Sequence, residues 1–298
     1  MKLISVVIPC YNQGEFLEEA VESVLSQSYP HFEIVVVNDG STDPYTIALL
    51  DSFDKPKCRV LQTGNQGLPA ARNNGIRSTG GEYICCLDAD DKYHPDYFRK
   101  AVEVFASDSE FRYGAVPAWV KFFGSRDTLW KTIGHNTEGF EPFLQGLRNN
   151  IQSATMFRRI CWEKIGGYDE SMTLGYEDWD FWIKMLNLGY QWFCIEEPLI
   201  YYRQKDQSMV TRADEVRPRL LGALIKNNHG FYAKNLVPML LARDHEVRML
   251  QKEVSVLAES LAAASGKGSP AIKKSGKASH FQQFRQSLRK LFPSAGKE

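Results

Sequence analysis

Apolar and polar positions over the first ninety residues fall into a repeating pattern. Ile4 to Ile8 is an almost unbroken apolar run, interrupted by Ser5 and stopped by Pro9, which predicts a short strand buried on both faces. Asn12-Gln13-Gly14-Glu15 then has the spacing of a capping box, with Asn12 as the N-cap and Glu15 reaching back. Phe16, Leu17, Ala20, Val21, Val24 and Leu25 fall on one face of the helix so opened. The unit recurs. Phe32 to Val37 predicts a second strand, broken at Asn38-Asp39-Gly40, and Asp43-Pro44 supplies an N-cap and a first-turn proline for a second helix. Cys58 to Gln62 predicts a third strand and Pro69 to Ser78 a third helix. Gly80-Gly81 turns the chain into a fourth strand, Glu82 to Leu87, which runs straight into Asp88-Ala89-Asp90-Asp91.

Alternating strands and helices of this length imply right-handed crossovers and a mostly parallel α/β sheet of Rossmann-like type. In such sheets ligands sit beyond the carboxyl ends of the strands. Pro9-Cys10-Tyr11-Asn12, Asn38-Asp39-Gly40 and Asp88-Ala89-Asp90 all fall at those ends, so three sets far apart in sequence are expected to converge. Further on, Ala115 to Phe123 and Ser153 to Phe157 read as strands with a loop-rich stretch between. Gly166-Gly167-Tyr168-Asp169 reads as a helix end and turn. Glu177-Asp178 opens a helix with Trp179, Trp182, Ile183 and Leu186 on one face, ending near Gly189. A strand-like segment from Trp192 to Tyr202 follows, with Pro198 inside it.

Beyond Asn235 the pattern changes. Val247, Leu250, Val254, Leu257 and Leu261 alternate spacings of three and four, as heptad positions do. Two readings stay open: these heptads pair two copies into a homodimer, or they pack on the body of the same chain. Gly266 to Ser279 is rich in Gly, Ser and Lys and reads as a flexible linker. Phe281 to Phe292 is amphipathic and basic. The expected organisation is a catalytic domain over 1–235, a helical segment with coiled-coil spacing over 236–265, and a basic linker and amphipathic tail over 266–298.

Composition adjusts this picture in two places. The 298 residues are 43% hydrophobic and 24% charged, an ordinary globular balance, and 36 basic residues match 36 acidic ones. That neutrality argues against nucleic acid as a partner, whose binders carry a basic excess. The tail, by contrast, holds Lys267, Lys273, Lys274, Lys277, Arg285, Arg289, Lys290 and Lys297 against Glu298 alone. Such a tail suits peripheral contact with an anionic membrane surface; a solvated tail, or a helix docked on its own protein, is the other reading. The six cysteines show no C-x-x-C spacing, no leader-like h-region opens the chain, and no run approaches the ~20 apolar residues of a membrane span. The expected location is cytoplasmic, at most peripheral at the membrane.

The candidate chemistry rests on carboxylates at element ends. Asp88 and Asp90, a D-x-D pair at a strand terminus, have the spacing to share a hard divalent cation, Mn2+ or Mg2+, with substrate phosphates. The bland reading is an acidic loop in which Asp91 or His94 caps the next helix. Asp39 is placed to accept from a base or ribose, or to close an Asx-turn. Glu177-Asp178 sits at a helix start, where the dipole keeps a carboxylate ionised and fit to act as a general base; favourable first-turn charge is the alternative.

Taken together, five ordered blocks resemble family 2 glycosyltransferases of the A-type fold. They are Ile4 to Asn12; Val37 to Asp43; Asn65-Gln66-Gly67 with Ala71 to Gly75; Gly81-Glu82 leading to Asp88-Ala89-Asp90; and Gly166 to Glu170 with Glu177-Asp178-Trp179. The resemblance covers residues 3–210. It implies an inverting transferase that moves a sugar from a nucleotide diphosphate donor, with UDP the implied carrier, to a glycan, lipid-linked or protein acceptor, as in polysaccharide biosynthesis. The lack of a membrane-span run points to transfer of a single sugar rather than polymerisation. Pro9, Tyr11 and Asp39 would line the nucleoside pocket, and Arg72 would lie by the nucleotide or donor sugar. Asp88 and Asp90 would hold the metal and diphosphate, and Asp178 would be the catalytic base beside Glu177. One position departs from the pattern: relatives often carry a histidine after a Tyr-Arg pair, and here Tyr202-Arg203-Gln204 is followed by Lys205, a point charge suited to the diphosphate rather than to a metal. A non-catalytic nucleotide-sugar-binding relative is the first rival reading. A sugar nucleotidyltransferase is less favoured, since Pro9-Cys10-Tyr11-Asn12 is not a Gly-rich basic loop.

Overall fold

The computed structural model describes residues 1–205 and 215–264. Strands β1 (Ile4–Cys10), β2 (Phe32–Asp39), β3 (Cys58–Thr63) and β4 (Tyr83–Cys86) alternate with helices α1 (Gly14–Leu25), α2 (Pro44–Asp51) and α3 (Leu68–Arg77), as the apolar runs predict. After β4 come β5 (Lys92–Tyr93), α4 (Tyr97–Ser107), β6 (Tyr113–Val116), β7 (Ala118–Gly124) and β8 (Leu129–Trp130). Then follow β9 (Met156–Arg158), α5 (Arg159–Ile165), α6 (Glu177–Asn187), β10 (Gln191–Trp192), β11 (Ile195–Gln204), α7 (Arg217–Asn227) and α8 (His229–Ala264).

Seven strands form the main sheet in the order β10-β6-β9-β4-β1-β2-β3. β1 pairs in parallel with β2 and β4, and β2 with β3, while β9 runs antiparallel between β4 and β6. The mixed α/β sheet is therefore mostly parallel. The smaller sheet, β5-β11-β7-β8, lies at the end of β4. Side chains along the central strands alternate between two cores. Val6, Ile8, Ile34, Val36 and Cys85 join Leu17, Val21 and Val24 of α1 on one face, and Val7, Val35, Val37, Ile84 and Cys86 join Ile76, Phe181 and Trp182 on the other. Burial on both faces is why these strands read as unbroken apolar runs rather than alternating ones.

Several boundaries depart from the sequence expectation for physical reasons. Asn12 is not the N-cap of α1. It sits in the left-handed region at φ 55°, and its Oδ1 accepts from the backbone of Thr42 at 2.7 Å and Asp43 at 2.9 Å. Gln13 takes the cap position without a side-chain bond. Asn12 thus ties the β1–α1 loop to the β2–α2 loop, a long-range bond that outcompetes the local capping box. Asp43 does cap α2, accepting from Thr46 N at 2.8 Å. Pro117 separates β6 from β7, so the run read as one strand serves two sheets. Trp192 and Ile195 likewise fall on different strands, and register shifts flank Pro198 in β11. Neither Asp91 nor His94 caps α4; Asp96 holds that position.

The chain divides into two compact units, Met1–Asn235 and Leu236–Glu298. In the second unit α8 continues to Ala264 with Pro238 inside it, and Val247, Leu250, Val254 and Leu257 fall within that helix. The expected linker and basic tail lie outside the described residues, as does the side chain of Leu261. Among the described residues no helix is long and apolar enough to cross a membrane, and all six cysteines are free.

Gly75 is the tightest point between α3 and the sheet. A Cβ there would lie 2.2 Å from Val7 Cγ1 and 3.0 Å from Val37 Cγ2. Gly75→Ala should therefore lower stability by about 1–3 kcal/mol through overpacking, against a helix-propensity gain of about 1 kcal/mol. Chemical denaturation measures the balance, and a midpoint equal to or above that of the parent contradicts this packing.

Candidate active site

The carboxyl ends of β1, β2 and β4 meet as the topology requires, and a cavity of about 450 Å³ opens there. Pro9, Tyr11, Asp39, Asp88, Asp90 and Lys205 are among its walls. A second cavity of about 510 Å³ lies beside it, lined by Arg72, Asn149, Glu177, Asp178, Trp179 and Trp130 among others. Leu68, Asp88 and Tyr202 face both, so the two adjoin across a shared wall.

Asp39 is buried at the end of β2, and its carboxylate accepts from the backbone N–H of Gln66 at 3.0 Å and of Gly67 at 2.9 Å. It fixes the loop that enters α3 while still facing the first cavity. Gly40 and Gly67 both have positive φ, at 69° and 89°, and a Cβ on Gly40 would lie 2.5 Å from Asn65 N. The loop can close this tightly only on glycine. Tyr11, on the next loop, is 45% exposed and presents an aromatic face to the same cavity.

Arg72 is deeply enclosed, with 1% of its surface exposed. One guanidinium nitrogen donates to Asp88 Oδ1 at 2.7 Å and the other to Glu177 Oε1 at 2.5 Å. Burial by itself would lower its pKa, but the charges of Asp88 and Glu177 more than reverse that and hold it firmly protonated. Arg72 lines the second cavity, beneath the carboxylates, and joins the Asp88 side of the site to the Glu177 side.

Asp88 and Asp90 flank the buried Ala89, which points both carboxylates away from the core. Their side chains keep 26% and 18% of their surface. Asp88 Oδ2 receives a long contact from Ser153 Oγ at 3.4 Å, and Asp90 Oδ2 is paired with Lys205 Nζ at 2.7 Å. Asp91, by contrast, is buried and accepts from Arg203 N at 2.9 Å and Gln152 Nε2 at 3.2 Å. Burial, then the charges of Asp90 and Asp88, push its carboxyl well above the usual range. It anchors β11 to the end of β4 instead of facing the cavity.

Asp178 faces the second cavity from the first turn of α6. Its Oδ1 accepts from Trp179 N at 2.7 Å and its Oδ2 from Asn149 Nδ2 at 2.9 Å. The expectation that the helix start keeps this carboxylate readily ionised is corrected. Burial first, and the adjacent Glu177 charge second, raise its pKa to about 7, outweighing Arg72 and the two donors. Trp179 packs as core, with its indole N–H bonded to Gln145 O.

Residues 5–166 match the sequence profile of glycosyl transferase family 2. The chain belongs to this family. An uncharacterized glycosyltransferase of Rickettsia typhi is 31% identical to this family 2 chain over 221 residues, 71% of this chain and 67% of that protein. The putative teichuronic acid biosynthesis glycosyltransferase TuaG of Bacillus subtilis is 39% identical over 104 residues, 34% of this chain and 41% of that one. Among solved structures, S. aureus TarS 1-349 in complex with UDP-GlcNAc aligns with a TM-score of 0.59 at 21% identity, covering 76% of this chain and 66% of that one. Mannosyltransferase PcManGT from Pyrobaculum calidifontis, in complex with GDP-Man and Mn2+, aligns at 0.53 and 18% identity, covering 88% and 86%. These two likenesses show a shared glycosyltransferase A-type fold.

In this family 2 glycosyltransferase, the structure brings Pro9, Tyr11, Asp39, Asp88 and Asp90 around one cavity and Arg72 and Asp178 around its neighbour. Sequence reading misses Asn149, which steadies Asp178, and Gln152 with Ser153, which bond Asp91 and Asp88. All three lie in or beside the loop-rich stretch, where no periodicity marks which polar residues turn inward.

The geometry makes Asp178 a carboxylate that changes charge near neutral pH. Carbon-13 NMR of labelled aspartates should show one side chain titrating at about 7, absent in Asp178→Asn. Because the Asn149 amide favours the ionised form, Asn149→Ala should move that titration to higher pH. A shift to lower pH, or titration only in the usual carboxylate range, contradicts this reading of the site.

Proposed function

We propose that the chain is an inverting glycosyltransferase that takes a sugar from a nucleoside diphosphate donor in the first cavity and delivers it to an acceptor hydroxyl in the second. The observation that carries this reading is the placement of two kinds of carboxylate on adjoining cavities. Asp88 and Asp90 face the first, and Asp178, with its pKa raised to about 7, faces the second. UDP is the donor carrier this reading favours. TarS, seen with UDP-GlcNAc, and PcManGT, seen with GDP-Man and Mn2+, share the fold and support a nucleotide sugar as donor class.

Each residue then has a task. Pro9 and Tyr11 form an apolar and aromatic wall for the nucleoside, and Asp39 holds the Gln66–Gly67 loop against it. The donor sugar lies at the shared wall, over Leu68 and Asp88. Asp178 accepts the proton of the acceptor hydroxyl as its oxygen attacks the anomeric carbon from the face opposite the diphosphate. A base whose pKa lies near the operating pH is both available and strong enough for that transfer. One in-line displacement inverts the anomeric centre, and no covalent sugar–enzyme intermediate forms. Trp130, Phe122 and Tyr176 give the second cavity aromatic faces suited to a sugar ring, consistent with a glycan or lipid-linked saccharide acceptor.

The donor set fits a hard divalent cation in one respect that matters. Asp88 and Asp90 each keep one carboxylate oxygen outside their ion pairs, and oxygen ligands plus substrate phosphates are what Mg2+ and Mn2+ take. One or two carboxylates with water and substrate phosphates are a usual ligand set for such an ion, so the donor diphosphate would complete the site beside Asp88 and Asp90. Bound there, such an ion neutralises charge on the departing diphosphate.

Asp178→Asn removes the base and leaves the first cavity intact. Transfer should fall by about 10²- to 10⁴-fold, while UDP-sugar affinity measured by equilibrium dialysis stays within about twofold of the parent. Retained turnover would show that Asp178 is not the base.

A further inference from the structure

Among the described residues two cations line the first cavity, and they differ in freedom. Arg203 is committed: its Nε donates to Asp90 O at 3.0 Å, its NH2 pairs with Glu19, and its backbone N–H is held by Asp91. Lys205 follows the end of β11 and, among the described residues, is paired with the Asp90 carboxylate at 2.7 Å, with its ammonium 4.2 Å from the centre of the Phe16 ring. Both side chains of that pair keep some exposure, 29% for Lys205 and 18% for Asp90. An ammonium on a four-carbon stem is a point charge that exchanges partners readily, whereas Arg203 is forked between fixed ones.

We propose that Lys205 is an exchangeable counter-ion built into the donor site. It neutralises Asp90 when no divalent cation is present, and it turns to a phosphate oxygen of the donor when a cation takes Asp90. A carboxylate this enclosed is costly to leave unpaired, but two cations on its two oxygens repel each other, so a metal taken up at the free oxygen weakens the hold of Lys205 on the other. Lys205 therefore holds down the affinity for the metal alone and lets the site accept a nucleoside diphosphate, more weakly, without any metal. Because coupling between two ligands is reciprocal, the donor diphosphate tightens metal binding by giving Lys205 another partner. This rests on the donor reading of the first cavity.

The test uses the full chain, with Lys205→Met as the isosteric neutral variant and Lys205→Arg as the variant that keeps the charge. Free Mn2+ is followed by electron paramagnetic resonance and UDP binding by calorimetry, with manganese and with chelator. Lys205→Met should bind Mn2+ alone about tenfold more tightly than the parent and bind UDP in chelator about tenfold more weakly; Lys205→Arg should keep UDP binding in chelator near the parent value. Thermal unfolding midpoints close to the parent's show that the fold is kept. Unchanged or weaker Mn2+ binding by Lys205→Met overturns the proposal, as does unchanged UDP binding in chelator. UDP binding by the parent only with manganese sinks the Lys205 role and leaves the donor reading standing, whereas no UDP binding by the parent under either condition removes the donor reading itself.

Discussion

A guanidinium with almost no exposed surface must find its counter-charges inside the protein, and Arg72 finds them on both sides of the site, at Asp88 and at Glu177. Neither carboxylate can relax away without leaving a buried charge uncompensated, a loss of about 3–5 kcal/mol in comparable pairs. The bond therefore fixes the end of β4 relative to the start of α6, two elements separated by some ninety residues of chain. In the proposed reaction these elements carry the donor and acceptor groups. Their spacing is set by a rigid ionic bridge rather than by loops.

Around that bridge, carboxylates of similar chemistry are driven to different states. Asp39 accepts two backbone donors, Asp90 has Lys205, Asp91 is enclosed and pushed far upward, and Asp178 is raised to about 7. Environment, not residue type, assigns each its task. Asp91 holds a strand in place away from both cavities and Asp39 holds a loop while facing the first, whereas Asp88, Asp90 and Asp178 keep carboxylate surface toward a cavity. The buried ones support the exposed ones: Asp91 seats β11, and β11 delivers Arg203 and Lys205 to the first cavity.

Much of this was legible in the sequence because β1, β2 and β4 are buried on both faces, so their apolar runs are continuous and end abruptly at polar residues. Asp39, Asp88 and Asp90 stand at those ends, and topology alone predicts that they converge. Three things were not legible. Asn12 looks like a local cap, yet its side chain bonds Thr42 and Asp43, some thirty residues away. The ionisation of Asp178 looks fixed by the helix start, yet burial and Glu177 win, because a dipole worth at most about 2 kcal/mol does not offset enclosure in a protein wall. Asn149 and Gln152 carry no periodic signal, since their loop takes its shape from the cavity it closes. The split of two apparent strands at Pro117 and between Trp192 and Ile195 is of the same kind: each run serves two sheets, and local pattern does not say where one sheet ends.

The central claim is that the two cavities have separate occupants, a nucleoside diphosphate in the first and an acceptor in the second. A crystal structure of the chain soaked with UDP and Mn2+ tests it most directly. The account predicts uridine against Pro9 and Tyr11, a diphosphate reaching Asp88, Asp90 and Lys205, and a second cavity left open beside Asp178. Nucleotide bound in the second cavity, or away from the Asp88–Asp90 end of β4, would contradict it.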